Sequence, residues 1–412
     1  MPDFHQIPRP SDRRIALHVQ PAAERALRQG HPWLYDQAIR KQSHDGVSGD
    51  LAVIFDRKGR FLAIGLYDPD SPIRVRVLQH GAPSPINVEW FEARLRAAAV
   101  RRAPLPAQGT TGYRLVHGEN DGLPGLVIDR YAETLVLKLY TAAWLPHLRD
   151  VIPGLQRVQP FDRLVLRVSR RLAPLIEPYG LTDGQTLIGS APSGPVHFEE
   201  NGLRFAADVA AGHKTGFFFD HRDNRAHVRS LSSGRSALDV FAYSGGFSVY
   251  AAAGGAVSVL SVDASAPALE AAVANFALNR DRAPVRAARH TVRVGDAFEQ
   301  LQQLSAEGQR FDLIIVDPPS FAKRAVEVRG ALALYARLTR LALSVLSADG
   351  VLVMSSCSSR VSPDAFFGAV LSAAAEAGRP LRELRRTGHA LDHPIGFPEG
   401  EYLKCLFATA PR

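Results

Sequence analysis

From about residue 205 onward, short apolar runs alternate with helical stretches, and polar residues gather at the carboxyl end of each run. The runs are SALDVF (236–241), VSVLSVD (257–263), TVRVGD (291–296), DLIIVD (312–317) and VLVMSS (351–356). Strands apolar along their whole length are buried on both faces, as in a parallel sheet covered by helices. Parallel neighbours need crossover connections, and FSVYAAAGG (247–255) and PALEAAVANFALN (267–279) supply helical ones. The series predicts an α/β fold, a doubly wound Rossmann-like sheet over 204–412. EYLKCLFATA (401–410) has no helix after it and is expected to be an edge strand, antiparallel to the rest.

The first half reads differently. GDLAVIFDRKGRFLAIGLYDP (49–69) holds two strand-like runs around a turn at Lys58-Gly59, and PIRVRVLQH (72–80) alternates in period two, so 1–82 is expected to be a small β-rich domain. A central α+β domain is expected over 83–203. There Pro83, Pro85, Pro104 and Pro106 bracket the helical VEWFEARLRAAAVRRA (88–103), and GLVIDRY (125–131) and TLVLKLY (134–140) form a hairpin. In RLVLRVSRR (163–171), Arg163, Arg167 and Arg171 share a face. A solvated edge strand and a nucleic-acid surface account for that face about equally well.

At 412 residues, 46% hydrophobic and 22% charged, the chain has ordinary globular composition and is too long for one core. No apolar stretch approaches the roughly 18–20 residues of a membrane span, and MPDFHQIPRP lacks the apolar region of a secretory signal, so a cytoplasmic protein is expected. The net charge of +8 is spread along the chain rather than gathered in a basic tail. That is compatible with a polyanionic partner without establishing one. The two cysteines, Cys357 and Cys405, have no metal-ligand spacing, so neither a disulfide framework nor a metal site is expected. Cys405, inside a strand-like run, reads as a core residue.

The carboxyl edge of the sheet is where such folds bind ligands, and here it is acidic. Successive strands end at Asp239–Phe241, Asp263, Asp296 and Asp317. One strand-end Asp is often a helix N-cap, but a series of four points to a ligand. The turn after the first strand holds Ser244, Gly245 and Gly246, small enough for close approach to a helix N-terminus, yet it lacks the GxGxxG pattern of a pyrophosphate site. An acidic edge without a phosphate loop fits a nucleoside with a cationic tail: S-adenosylmethionine, with its ribose on Asp263 and its adenine amine on Asp296. Cys357, at the end of VLVMSS, and Asp317, opening the stiff DPPSF loop (317–321), stand on the same edge, which suggests covalent chemistry on a planar ring. Phe321 could stack on that ring or plug the core.

With these residues in view, the chain resembles the class I S-adenosylmethionine-dependent methyltransferases, and within them the bacterial 23S rRNA cytosine-5 methyltransferases of the RlmI type. The matching segments are HPWLY (31–35), of an N-terminal RNA-binding PUA domain; YRLVHGENDGLPGLVIDRY (113–131); KTGFFFDHRDNR (214–225); DVFAYSGGF (239–247); DPPSF; SSCSS (355–359); and HPIGFPEGEYLKCLF (393–407). The resemblance implies that Asp239, Phe241, Tyr243, Ser244, Gly245 and Gly246 line the methionine side of the cofactor. It also places Arg222 near the cofactor tail, although an ordinary surface ion pair with Asp220 or Asp223 would explain Arg222 as well. Cys357 becomes the nucleophile and Asp317 its partner at the base, while Arg360 takes no assigned role. The implied partner is 23S rRNA, naked or in a partly assembled subunit, with no membrane. A homodimer is allowed and the oligomeric state left open. Three rivals remain: methylation of an exocyclic base amine, which needs no cysteine; a catalytically silent RNA-binding assembly protein; and a small-molecule methyltransferase, which would leave the N-terminal β-rich domains without an obvious purpose.

Overall fold

A computed structural model describes Ile7 and residues 9–411. It divides into two compact units. The first takes residues 1–198, 207–217 and 391–397; the second takes 199–206, 218–390 and 398–412.

The first unit contains two sheets. The six-stranded one orders Trp33–Tyr35, Ile73–His80, Phe61–Tyr67, Leu51–Phe55, Ile15–Val19 and Ile39–Gln42 side by side. The five-stranded one runs Thr186–Ile188, Arg163–Val168, Thr134–Leu139, Leu126–Tyr131 and Gly112–His117. The expected hairpin is present, with Tyr131 paired to Thr134 and Ala132 turning the chain at φ 51°. Arg163–Val168 lies inside its sheet, so the edge-strand expectation fails. Arg167 is buried, donating to Asp183 and to the carbonyls of Val209 and Gly212, and so offers no surface to nucleic acid. One apolar core contains Leu51, Ile64, Leu66 and Leu78 from the first sheet together with Trp90, Leu126, Leu137 and Leu164 from the following segment.

The second unit is built on a seven-stranded sheet. Its strands are β1 (Ser236–Val240), β2 (Ser258–Asp263), β3 (Arg289–Val294), β4 (Phe311–Val316), β5 (Leu346–Ser356), β6 (Arg382–Thr387) and β7 (Lys404–Thr409). Their spatial order is 3-2-1-4-5-7-6. The first five are mutually parallel; β7 runs antiparallel to both β5 and β6. The helices of eight or more residues are α1 (Arg222–Ser230), α2 (Gly246–Ala253), α3 (Ala266–Ala277), α4 (Ala297–Ala306), α5 (Val328–Val345) and α6 (Pro363–Glu376). Three start on side-chain caps: the Ser265 and Ser362 hydroxyls and the Asp296 carboxylate accept the first-turn N–H groups of α3, α6 and α4.

The antiparallel expectation for the last strand holds, but β7 is not the edge. β6, with the sequence RELRRT and nearly every residue exposed, covers it. A charged strand with one neighbour suits a sheet edge and leaves no apolar run to read. Strand order reverses between β1 and β4, which opens a crevice at their carboxyl ends. Among the described residues, no helix is long and apolar enough to cross a membrane.

Candidate active site

The β1–α2 turn carries unusual backbone. Phe241 and Tyr243 take positive φ of 66° and 48°, and Gly245 takes 75°. Only glycine adopts that region at little cost, so two non-glycine residues there mark stored strain of the kind found at binding sites. At Gly245 an added Cβ would also stand 2.8 Å from Ala272. The turn is held by the Ala242 N–H on Val262, the Gly245 N–H on Ala242, and Asn275 donating to the Ser244 carbonyl.

Asp239 is 1% exposed. Its Oδ2 accepts from the Ser248 hydroxyl at 2.6 Å, while Oδ1 is buried with no hydrogen-bond partner, as is the Ser244 hydroxyl. Burial pushes the Asp239 carboxyl up to about 7, and the nearby Asp317 and Asp263 charges add to the rise. An orphaned, partly protonated carboxylate beside a strained loop is what a cationic ligand group would complete.

Asp263, half-buried at the end of β2, accepts the Tyr243 N–H on Oδ2 and the Ser265 N–H on Oδ1, both at 2.9 Å. These bonds fix the carboxylate and leave lone pairs for vicinal hydroxyls. Asp296 is exposed, and its Oδ1 caps α4 by accepting from Phe298 and Glu299. Its strand end is tied to that of Asp263 through the Gly295 N–H on the Asp263 carbonyl. Gly246 is the first residue of α2, half-buried after the Gly245 cap. Arg222 is buried at the start of α1, with Nε 3.4 Å from Asp223. The ion pair is there, but the arginine is not on the surface. Taken together, the orphan acceptors, the fixed carboxylate and the glycine turn fit a nucleoside bearing a cation.

The pairing of β4 with β5, Val316 opposite Met354, brings the other two candidates together. The Cys357 thiol lies 3.8 Å from the Pro318 carbonyl, directly after Asp317. Cys357 is half-buried and in no disulfide, whereas Cys405 is fully buried, accepts from Ser355, and has its thiol pushed up to about 12 by burial. The chain is pinned on both sides of Cys357: Ser356 bonds the Tyr335 hydroxyl at 2.8 Å, and the Ser358 hydroxyl donates to the Ala322 carbonyl. Phe321 is half-buried against Tyr335, ring centres 5.1 Å apart.

Two residues escaped the sequence reading. His221 Nε2 sits 3.1 Å from Asp317 Oδ1, and Asn224 contacts the other ring nitrogen at 3.0 Å. Burial is the largest influence on His221 and pushes it down, but the charge and hydrogen bond of Asp317, with the Asp220 charge, together turn the net shift upward. Lys404 enters a strand of buried residues at 2% exposure. A lone histidine inside FFFDHRDNR and a lone lysine in an apolar run were the available signals. A separate cavity of about 750 Å³ in the first unit, among Tyr140, Tyr179 and Arg76, holds none of these residues.

Known proteins resemble this chain over nearly its whole length. Residues 183–402 match the model of an S-adenosylmethionine-dependent methyltransferase family, and 17–80 match a PUA-like domain. A ribosomal RNA large subunit methyltransferase of Deinococcus radiodurans is 49% identical, covering 97% of this chain and 98% of its own. The ribosomal RNA large subunit methyltransferase I of Aeromonas salmonicida is 37% identical over 96% of this chain and 99% of its own. The solved structure of the methyltransferase SMU.776, complexed with SAH, shares the fold: TM-score 0.80 at 22% identity, over 96% of this chain and all of that one.

Proposed function

Because the chain belongs to the S-adenosylmethionine-dependent methyltransferases, in the family of the ribosomal RNA large subunit methyltransferases it matches, we propose that it forms 5-methylcytosine in 23S ribosomal RNA through a Cys357 adduct at cytosine carbon 6. The observation carrying the finer reading is the thiol lying 3.8 Å from the carbonyl of the residue after Asp317. A nucleophile and an acid on adjacent strand ends can grip one base from one side.

Cytosine carbon 5 is too weak a nucleophile to take a methyl group unaided. Addition of the Cys357 thiolate to carbon 6 moves the ring's electron pair onto carbon 5, dividing one hard step into easier ones. Asp317 holds a proton at ring nitrogen 3, offsetting the charge that builds there, with His221 as its positioning residue. When bound, S-adenosylmethionine would supply an electrophilic methyl group to carbon 5 and leave as S-adenosylhomocysteine. The carbon-5 proton then passes to solvent, its bonding electrons re-form the carbon 5–carbon 6 double bond, and the sulfur–carbon bond breaks to release the Cys357 thiolate. Asp263 would hold the ribose and Asp296 the adenine amine. Asp239, Phe241, Tyr243, Ser244, Gly245 and Gly246 would line the methionine side, and Arg222 would pair with its carboxylate. The target base must leave its stack to reach this edge. A cytoplasmic site of action, and the division at 1–82, 83–203 and 204–412, belong to the same reading.

RNA tritiated at cytosine carbon 5 tests it. Release of tritium in step with methyl transfer is expected. Transfer without release would leave the exocyclic-amine reading, and no transfer at all would leave a binding protein.

A further inference from the structure

Lys404 has no part in the scheme above, yet few side chains are placed so deliberately. It opens β7 directly opposite Ser356, the residue before Cys357. Its ammonium donates to the Ser358 carbonyl and, at 2.8 Å, to the Val361 carbonyl, so it clamps the turn that follows the nucleophile. Lysine is uncommon inside a protein, because burial charges a heavy desolvation cost to the cation. Here the cost is visible: burial pulls the ammonium down to about 8, while Cys357 and Glu401 act in the opposite direction. Attraction between two groups is mutual. Whatever a Cys357 thiolate does to keep Lys404 protonated, Lys404 does equally to keep the thiol ionised.

We propose that Lys404 is the positioning residue of Cys357, fixing the turn that bears the thiol and holding a buried positive charge that stabilises its thiolate. The inference rests on the reading of Cys357 as a nucleophile. Tyr335, Asp317 and His221, on the neighbouring elements, do not supply that charge. Tyr335, from α5, is held neutral, its hydroxyl pushed up to about 12 by burial. Asp317, from the β4 loop, is an acid that works against a second negative charge, and His221 is committed to Asp317. Lys404 is a buried positive charge whose field reaches the thiol.

The test is the pH dependence of Cys357 alkylation by iodoacetamide in the full chain, followed by peptide mass spectrometry to separate it from buried Cys405. In the unaltered protein the midpoint is expected below the ordinary thiol value of about 8.5. K404M is expected to raise it by about one unit, roughly tenfold slower alkylation at pH 7. K404R, which keeps the charge, is expected to stay at the unaltered value. A K404M protein that melts and binds S-adenosylhomocysteine normally, with an unchanged midpoint, overturns the proposal. If K404M does not fold, the unaltered midpoint decides: below about 8.5 supports it, and at or above that value overturns it. No RNA is involved, so this result and tritium release can fail independently.

Discussion

At the scale of single residues, the site is defined by how differently it treats groups of the same kind. Cys405 pairs across the sheet with Ser355, two residues before Cys357, but its thiol is entombed whereas that of Cys357 lies beside the Asp317 loop. Cys357→Ser is expected to abolish methyl transfer and leave cofactor binding intact, since a hydroxyl cannot add to carbon 6 as a thiolate does. Titration calorimetry with S-adenosylhomocysteine checks this; loss of binding would make Cys357 structural. The acids diverge in the same way. Asp239 is buried with its carboxyl raised to about 7, whereas Asp296 stands in solvent as a cap. A carboxyl raised on folding favours the folded state while both states are protonated. That contribution fades as pH climbs from the ordinary carboxylate range through about 7. Asp239→Asn removes the burden of a buried charge. It should therefore raise the melting temperature of the ligand-free protein at pH 8 more than at pH 5, while weakening cofactor binding. A melting temperature equally shifted at both pH values would contradict the assignment.

At the scale of elements, the same residue can serve two masters. Asp296 starts α4 and also ends the strand next to Asp263. Asp296→Ala should cost about 1 kcal/mol through the lost cap, read as a lower denaturation midpoint. Asp296→Asn keeps a capping oxygen and should hold stability near the original value. If Asp296 receives the adenine amine, cofactor affinity falls in the alanine variant by more than stability explains. Equal affinity in all three proteins would confine Asp296 to capping. Strands show a similar division between what is local and what is not. β4 was legible because DLIIVD is buried on both faces, whereas β6 was not, because RELRRT is exposed and owes its pairing to β7 alone.

At the scale of the whole molecule, the two sheets of the first unit share an apolar core, beside a second core that belongs to the six-stranded sheet alone. Its main core draws on residues from Ile7 to Leu187 and takes side chains from both sheets. Leu66→Ala, at a fully buried position of that core, should therefore cost roughly 2–5 kcal/mol. It should also speed amide exchange in Leu51–Phe55 and Leu126–Tyr131 together. Faster exchange confined to the first strand would mean that the two sheets open separately.

The sequence by itself determined the doubly wound sheet and its acidic carboxyl edge. Buried parallel strands must be apolar along their length, and the residues that break the run necessarily fall at strand ends. It also marked Cys357 and Asp317, because each closes such a run. Only the tertiary structure decided which distant residues serve them. His221 meets Asp317, and Lys404 meets the turn after Cys357, through strand order and register, and no local pattern encodes those. The same holds for Arg167, whose alternation with Arg163 suggested a charged face until its partners drew it inside the first unit. Hydrophobic periodicity is a property of neighbours along the chain. A countercharge is a property of neighbours in space, and it appears only once the strands have been placed side by side.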